Sequence, residues 1–323
     1  MKKTLFILCL LSSVVALAQI NPIIVQNGNT LRYASSLDSA VIIATGGDTI
    51  YLPAGVFAAP TTFNKKLAIL GVGYRTDSSR YSGTTIITGN LTIGTSGSNS
   101  FLTGLNIVDQ LTLSSVSGVN IANCKIQGLQ VHLLNANNLL RECIIGTIPY
   151  YGSFWQRYTI QNSIIENSID LYYVTVVNSI FLNANSGLLF SSSRGTRSQA
   201  YLTNNIILLN NSNSTYAFDN TVFLHNNLIV GGSNYGIDTI QNIYRPASFR
   251  STVFLRFNGT AHNELSDYHT QSACTECVGQ GIYNGSFPFR PLPNTPIVLE
   301  KEVSSSTNNN YLRFKIKLRL PTN

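Results

Sequence analysis

The chain has 323 residues, 44% hydrophobic and only 11% charged, where an average soluble domain has about a quarter of its residues charged. That balance excludes a disordered polymer and calls for an interior filled along its whole length. The formal charge of +7 falls to +5 without Lys2 and Lys3, and Arg313, Lys315, Lys317 and Arg319 cluster near the C-terminus. The remaining body is nearly neutral, which argues against a surface that tracks nucleic-acid phosphates.

Residues 1–18 read as a secretory signal: a basic start at Lys2 and Lys3, an apolar stretch from Leu5 to Leu17, and the small-residue site Ala16-Leu17-Ala18. The expected mature chain starts at Gln19 and is secreted or held at the cell surface. No other segment is long and apolar enough to span a membrane. The next element is a helix over Ser35–Ala44, with an N-cap serine, apolar residues at helical spacing and a stop at Gly46-Gly47. Its expected place is over the open end of a solenoid. A strand and turn follow in Gly47–Phe57, then Leu67–Tyr74.

From residue 120 to 230 a four-residue phrase recurs. It reads Asn123-Cys124-Lys125-Ile126, Glu142-Cys143-Ile144-Ile145, Asn162-Ser163-Ile164-Ile165, Asn178-Ser179-Ile180-Phe181, Asn204-Asn205-Ile206-Ile207 and Asn226-Asn227-Leu228-Ile229. The spacings of 19, 20, 16, 26 and 22 wander around twenty, with β-branched residues and no long amphipathic helix between them. A β-solenoid with loops of variable length gives this pattern. Strand alternation turns the second and fourth residues of each phrase inward. The leading Asn then sits at a bend, where it tolerates left-handed backbone angles and bonds the Asn of the next rung. Glu142 interrupts that ladder and must face solvent or find a partner. Cys124 and Cys143 stack in neighbouring rungs, close enough for a disulfide, but inward side chains point in parallel, so buried free thiols are the favoured reading. A leucine-rich repeat is the competing architecture, since Leu102, Leu105 and Ile107 would open one. The pattern does not recur.

The helix, then Gly47-Asp48-Thr49-Ile50-Tyr51-Leu52-Pro53-Ala54-Gly55-Val56-Phe57, then Ile69-Leu70-Gly71-Val72-Gly73, resembles the entry into the pectin-lyase-like superfamily of right-handed parallel β-helices. The later Asn-x-Ile-Ile phrases agree, over roughly residues 30 to 290. The resemblance implies an all-β, single-stranded right-handed parallel β-helix over residues 19–290, with an N-terminal capping helix. It specifies activity poorly, because such scaffolds carry lyases, hydrolases, esterases and proteins without catalysis. Residues 291–323 form a distinct tail. Leu312, Phe314, Ile316, Leu318 and Leu320 alternate there with basic residues, which predicts a β-hairpin laid on the solenoid; a strip that touches membrane or polysaccharide is the sharper alternative.

A polysaccharide lyase on this scaffold needs carboxylates holding Ca²⁺ and an Arg or Lys base, and a hydrolase needs two or three close carboxylates. The chain has eight Asp and six Glu, with no adjacent pair and no Asp-x-Asp or Asp-x-Glu. The one local cluster is Tyr150–Tyr158, which contains Tyr151, Trp155, Arg157 and Tyr158, followed a rung later by Tyr172 and Tyr173. Such rings pack on sugar C–H faces while Arg157, Glu166 and Asp170 bond hydroxyls; the opposing reading is that the rings fill a widened rung. Cys274-Thr275-Glu276-Cys277, with His262 and His269 upstream, is read as a small disulfide loop in preference to a zinc site. His132 and His225 stand alone, and Arg194 and Arg197 fall in a Ser/Gly-rich loop. The expected function is non-catalytic binding of a polysaccharide or cell-surface glycan by a monomer without a cofactor. The alternatives are a lyase or hydrolase, using Arg157 as base with Glu166 and Asp170 as metal or acid groups and Ca²⁺ in the lyase case, and a purely structural or adhesive solenoid.

Overall fold

The computed structural model describes residues 22–319 except 62, 76–82, 132–135, 149–156, 168, 170–173, 185–199, 210–221, 232–237, 258, 260, 264, 286–288, 290–296 and 304–313. Its first elements close one end of a solenoid. Strands β1 (Ile23–Asn27) and β2 (Thr30–Ala34) form an antiparallel hairpin, and helix α1 (Leu37–Ile43) follows. The helix starts where Ser36 accepts from the Ser39 N–H and the Ser39 hydroxyl accepts from the Ser36 N–H, a reciprocal cap. It buries Leu37, Ala40 and Val41. The carbonyls left over at its C-terminal end need donors, and the Lys65 ammonium reaches Val41 O at 2.8 Å, Ile42 O at 3.0 Å and Ala44 O at 2.8 Å.

Beyond this cap the strands stack in parallel, rung on rung. The 12-stranded sheet 1 begins with the hairpin and runs through β3 (Thr49–Tyr51), β5 (Ala68–Leu70), β8 (Phe101–Thr103), β10 (Asn120–Ala122) and β12 (Asn138–Arg141). It continues through β14 (Tyr158–Gln161), β16 (Val174–Val177), β18 (Ala200–Thr203), β20 (Val222–His225) and β22 (Asp238–Ile240). The 11-stranded sheet 2 takes β4 (Gly55–Ala58), β6 (Thr85–Thr88), β9 (Asn106–Leu113), β11 (Lys125–Val131) and β13 (Ile144–Thr147). After these come β15 (Ile164–Ile165), β17 (Ile180–Ala184), β19 (Ile206–Leu209), β21 (Leu228–Val230) and β23 (Ile243–Arg245), while β7 (Leu91–Ile93) pairs with the far half of β9. The chain is therefore a parallel β-solenoid with few helices. Its axial core is a column of fully buried aliphatics, among them Ile69, Leu102, Ile121, Leu140, Ile160, Val176 and Leu202 in sheet 1.

The repeated phrase is the corner between the sheets. Asn123, Glu142, Asn162, Asn178, Asn204 and Asn226 have φ of 49°, 53°, 46°, 49°, 56° and 50°, and Gln241 continues the series at 62°. Asn dominates because its short amide makes the left-handed region least unfavourable among residues with a Cβ. Glu142 does not face solvent: it is 7% exposed and accepts from Asn123 Nδ2 at 3.0 Å. The longer ladder runs one residue further in. Ser163 Oγ accepts from the Cys143 N–H, Ser179 Oγ from the Ser163 N–H, Asn205 Oδ1 from the Ser179 N–H, and Asn227 Oδ1 from the Asn205 N–H. Asn242 Oδ1 ends it by accepting from the Asn227 N–H at 2.9 Å. Backbone donors at the turn are thus satisfied without water. Cys124 and Cys143 occupy the same positions in the first rungs and are free, buried thiols. Burial, with the neighbouring Cys143 adding to it, pushes Cys124 up, and burial lifts Cys143 to about 12, so both are inert thiols.

The second and fourth residues of each phrase point inward as alternation requires. Lys125, third in the first phrase, is half-buried, and in the last five phrases the third is buried as well: Ile144, Ile164, Ile180, Ile206 and Leu228 are at most 2% exposed. Their cover is the chain after β23. Residues 247–252 form a 3-10 turn, β24 (Phe254–Arg256) and β25 (Asp267–Thr270) pair antiparallel, and a loop bridged by Cys274–Cys277 follows. Val253, Phe254, Phe257, Tyr268, Cys274, Cys277, Ile282 and Phe289 form one apolar cluster with the outward residues of sheet 2. At about 1.5–3 kcal/mol per fully buried large aliphatic side chain, this second core is a substantial part of the stability of the C-terminal half. The tail is the expected hairpin, β26 (Ile297–Val303) antiparallel to β27 (Phe314–Arg319).

Candidate functional site

Strand alternation on β14 separates two of the residues singled out in sequence. Arg157, just before the strand, is exposed. Tyr158 turns inward, is 2% exposed and belongs to the axial core, so it is withdrawn from the aromatic surface. Tyr151, Trp155, Tyr172, Tyr173 and Asp170 lie outside the described residues, as do His132, Arg194 and Arg197. Glu166 follows β15 in sheet 2, so β14, the corner and β15 stand between it and Arg157. Among the described residues, no group of three or more His, Cys, Asp or Glu side chains is placed to hold a metal ion.

Glu166 instead belongs to the seam where the C-terminal layer meets sheet 2. Its Oε1 accepts from the His262 N–H at 3.0 Å, and His262 Nδ1 lies 2.9 Å from the Tyr268 hydroxyl, the two rings stacked at 5.7 Å. Burial, with the Lys125 and Arg75 charges adding to it, lowers His262 to about 4. Burial raises Tyr268, and the Glu166 carboxylate adds to the rise against a hydrogen bond with Ser266. Further along, Asp267 Oδ1 meets His269 Nδ1 at 2.7 Å, and the His269 ring stacks on Tyr283 with centroids 3.9 Å apart. Arg245 of the last rung pairs with Glu276 inside the disulfide loop. Cys274 and Cys277 are bonded to each other with Cα atoms 5.4 Å apart, so neither sulfur is available to a metal. These polar groups tie the layer to itself or to the solenoid and act as its fastening.

The outer face of sheet 1 differs. There, residues recur in strict parallel register, so one column contains Thr159, Thr175, Tyr201 and Phe223. A second column, two residues along each strand, contains Gln161, Val177, Thr203 and His225. All are half-buried or exposed, Tyr201 being 42% exposed, while their inward neighbours are buried. The Tyr201 and Phe223 rings stack at 4.9 Å with planes 11° apart. Because they sit in neighbouring rungs, they cover one another along the solenoid axis and turn their edges outward. Sequence reasoning missed this surface, since its members lie 16 to 26 residues apart and none is unusual alone. The usable signal is the residue three before each corner position, which reads Thr159, Thr175, Tyr201 and Phe223.

Fold and surface together define the class as a parallel β-solenoid whose sheet 2 is covered on its outer face from β13 to β23 while sheet 1 leaves its outward residues half-buried or exposed over β14 to β20. No family model, curated protein or solved structure matches the chain.

Proposed function

We propose that this chain is an exported, non-catalytic β-solenoid that binds a glycan through the outer face of sheet 1. One observation carries the reading: from β13 to β23 the outer face of sheet 2 is covered by the C-terminal layer, whereas on the same rungs sheet 1 presents ordered columns of hydroxyls, amides and ring edges. Hydroxyl and amide groups on a flat, preformed surface complement sugar hydroxyls at low ordering cost and need no cofactor. The ring faces of Tyr201 and Phe223 lie on one another, so hydrogen bonding and edge contacts carry the binding, with less ring stacking than a Tyr/Trp platform offers. Export is supported by the leader-like residues 1–18 and by the Cys274–Cys277 disulfide, which fits an oxidising compartment. The entry segment and the Asn corners support kinship with pectin-lyase-like β-helices, a relationship of scaffold that does not bring the chemistry with it. No helix among the described residues is long and apolar enough to cross a membrane.

The test is retention on a panel of immobilised polysaccharides, with Tyr201→Ser/Phe223→Ser compared to the parent at equal thermal stability. The reading expects saturable retention of the parent on at least one glycan, at least a fivefold loss in the variant, and no release of reducing ends or unsaturated products. Equal retention of parent and variant moves the site elsewhere, and turnover replaces the reading with a lyase or hydrolase.

A further inference from the structure

The open face has a length, a direction and a charge, and these specify its partner more narrowly. Each strand offers only two outward residues, as with Thr159 and Gln161 on β14, a width of roughly 7 Å. Along the solenoid axis the same positions repeat over four rungs, from β14 to β20, a length of roughly 14 Å at the spacing of paired strands. The long dimension therefore crosses the strands. Within it no outward position is Asp, Glu, Lys or Arg. Among the described residues, charge stands at the borders: Arg157 precedes β14, Arg141 lies one rung towards the N-terminus in register with Gln161, and Asp238 follows Phe223 in register.

A polymer with a carboxylate on each sugar would meet cations only at the β14 end, Arg157 and Arg141 among the described residues, and would be desolvated over β16, β18 and β20 without one, which is unfavourable by the ordinary cost of burying an unpaired charge. An uncharged chain meets only hydroxyls, amides and apolar edges. We propose that the ligand of the sheet 1 face is a neutral polysaccharide, such as a β-glucan or xylan, lying along the solenoid axis across β14, β16, β18 and β20. This rests on the glycan-binding reading and narrows it.

The experiment uses the full chain, co-sedimented with cellulose and insoluble xylan on one side and with pectate and alginate gels on the other, at 0.15 M and 0.5 M NaCl. The second salt concentration separates binding to the strip from loose attraction between a net positive chain and an acidic gel, which is screened. Expected is retention on a neutral polymer that changes less than twofold with salt, and none on the acidic gels at 0.5 M. Thr159→Lys, Thr175→Lys and Thr203→Lys, on three different rungs, should each lower it at least fivefold. Thr159→Val, Thr175→Val and Thr203→Val, which keep the shape and suit a strand, should each lower it about two- to threefold and guard against loss through misfolding. Salt-resistant retention on pectate or alginate overturns the neutral class while leaving glycan binding in place. Sensitivity confined to one rung overturns the axial direction, and no retention on any polymer overturns the parent reading as well.

Discussion

Asn204 and Asn205 are neighbours with separate tasks. Asn204 turns the chain with φ of 56°, a conformation that glycine adopts without strain, and its Oδ1 accepts from Asn226 Nδ2 at 2.8 Å in a part-buried bond. Asn205 is fully buried; its Oδ1 accepts from the Ser179 N–H, and its Nδ2 donates to Val176 O at 2.9 Å and to Asn227 Oδ1 at 3.0 Å. Asn204→Gly loses one part-buried bond and is expected to cost about 1 kcal/mol. Asn205→Ala takes the side-chain partner from the buried Ser179 N–H and Val176 O, while Asn227 Oδ1 keeps the Asn205 N–H, and is expected to cost about 2–4 kcal/mol. Chemical denaturation of the two variants checks this, and equal losses would contradict the assignment. The left-handed corner was legible from sequence because one residue type repeats there. The inner ladder was not, because Cys, Ser and Asn look unrelated until the fold shows them at one position.

At the level of elements, the C-terminal layer is the part whose attachment depends on pH. His262 falls from an ordinary 6.5 to about 4 when buried beside Lys125 and Arg75, with Glu166 at its backbone and Tyr268 on its ring. Between those values the detached segment binds a proton that the docked one excludes, so docking is strongest above about pH 6.5 and weakens as pH falls towards 4. Asp48, at the opposite end, acts lower. Burial raises it, but the Thr45 N–H and hydroxyl, Arg32 and Asn27 outweigh burial and hold it below 3.8, so its contribution is present above that value and lost as pH falls through its lowered folded value. Protection factors at residues 254–285, corrected for the pH dependence of free-amide exchange, should fall between pH 7 and pH 5 while those of α1 hold, and His262→Gln should flatten the response. An equal loss of protection in both regions would contradict a local fastening. The Ile-Ile doublets suit strands buried on both faces, but alternation assigned only the second and fourth residues of each phrase to the interior and left the third outside. The cover itself has no period, so the sequence did not point to it.

For the whole molecule, the solenoid was legible because about twenty residues per rung is a long-range regularity that survives loop variation, as between Phe181 and Ile207. The site was less legible. A run such as Tyr150–Tyr158 draws attention because its rings are adjacent in sequence, yet on a strand adjacent residues face opposite ways, and Tyr158 went to the core while Arg157 stayed outside. A solenoid instead builds a surface from residues one rung apart, as Thr175, Tyr201 and Phe223 show. The result is an asymmetry over the C-terminal rungs, sheet 2 covered from β13 to β23 and sheet 1 accessible from β14 to β20. Hydrogen–deuterium exchange of the full chain, with and without a saturating soluble xylan or β-glucan oligosaccharide, tests it most directly. Binding on sheet 1 adds protection over residues 158–161, 174–177, 200–203 and 222–225 and leaves the 254–285 layer unchanged. Protection confined to that layer, or to segments outside sheet 1, would contradict it.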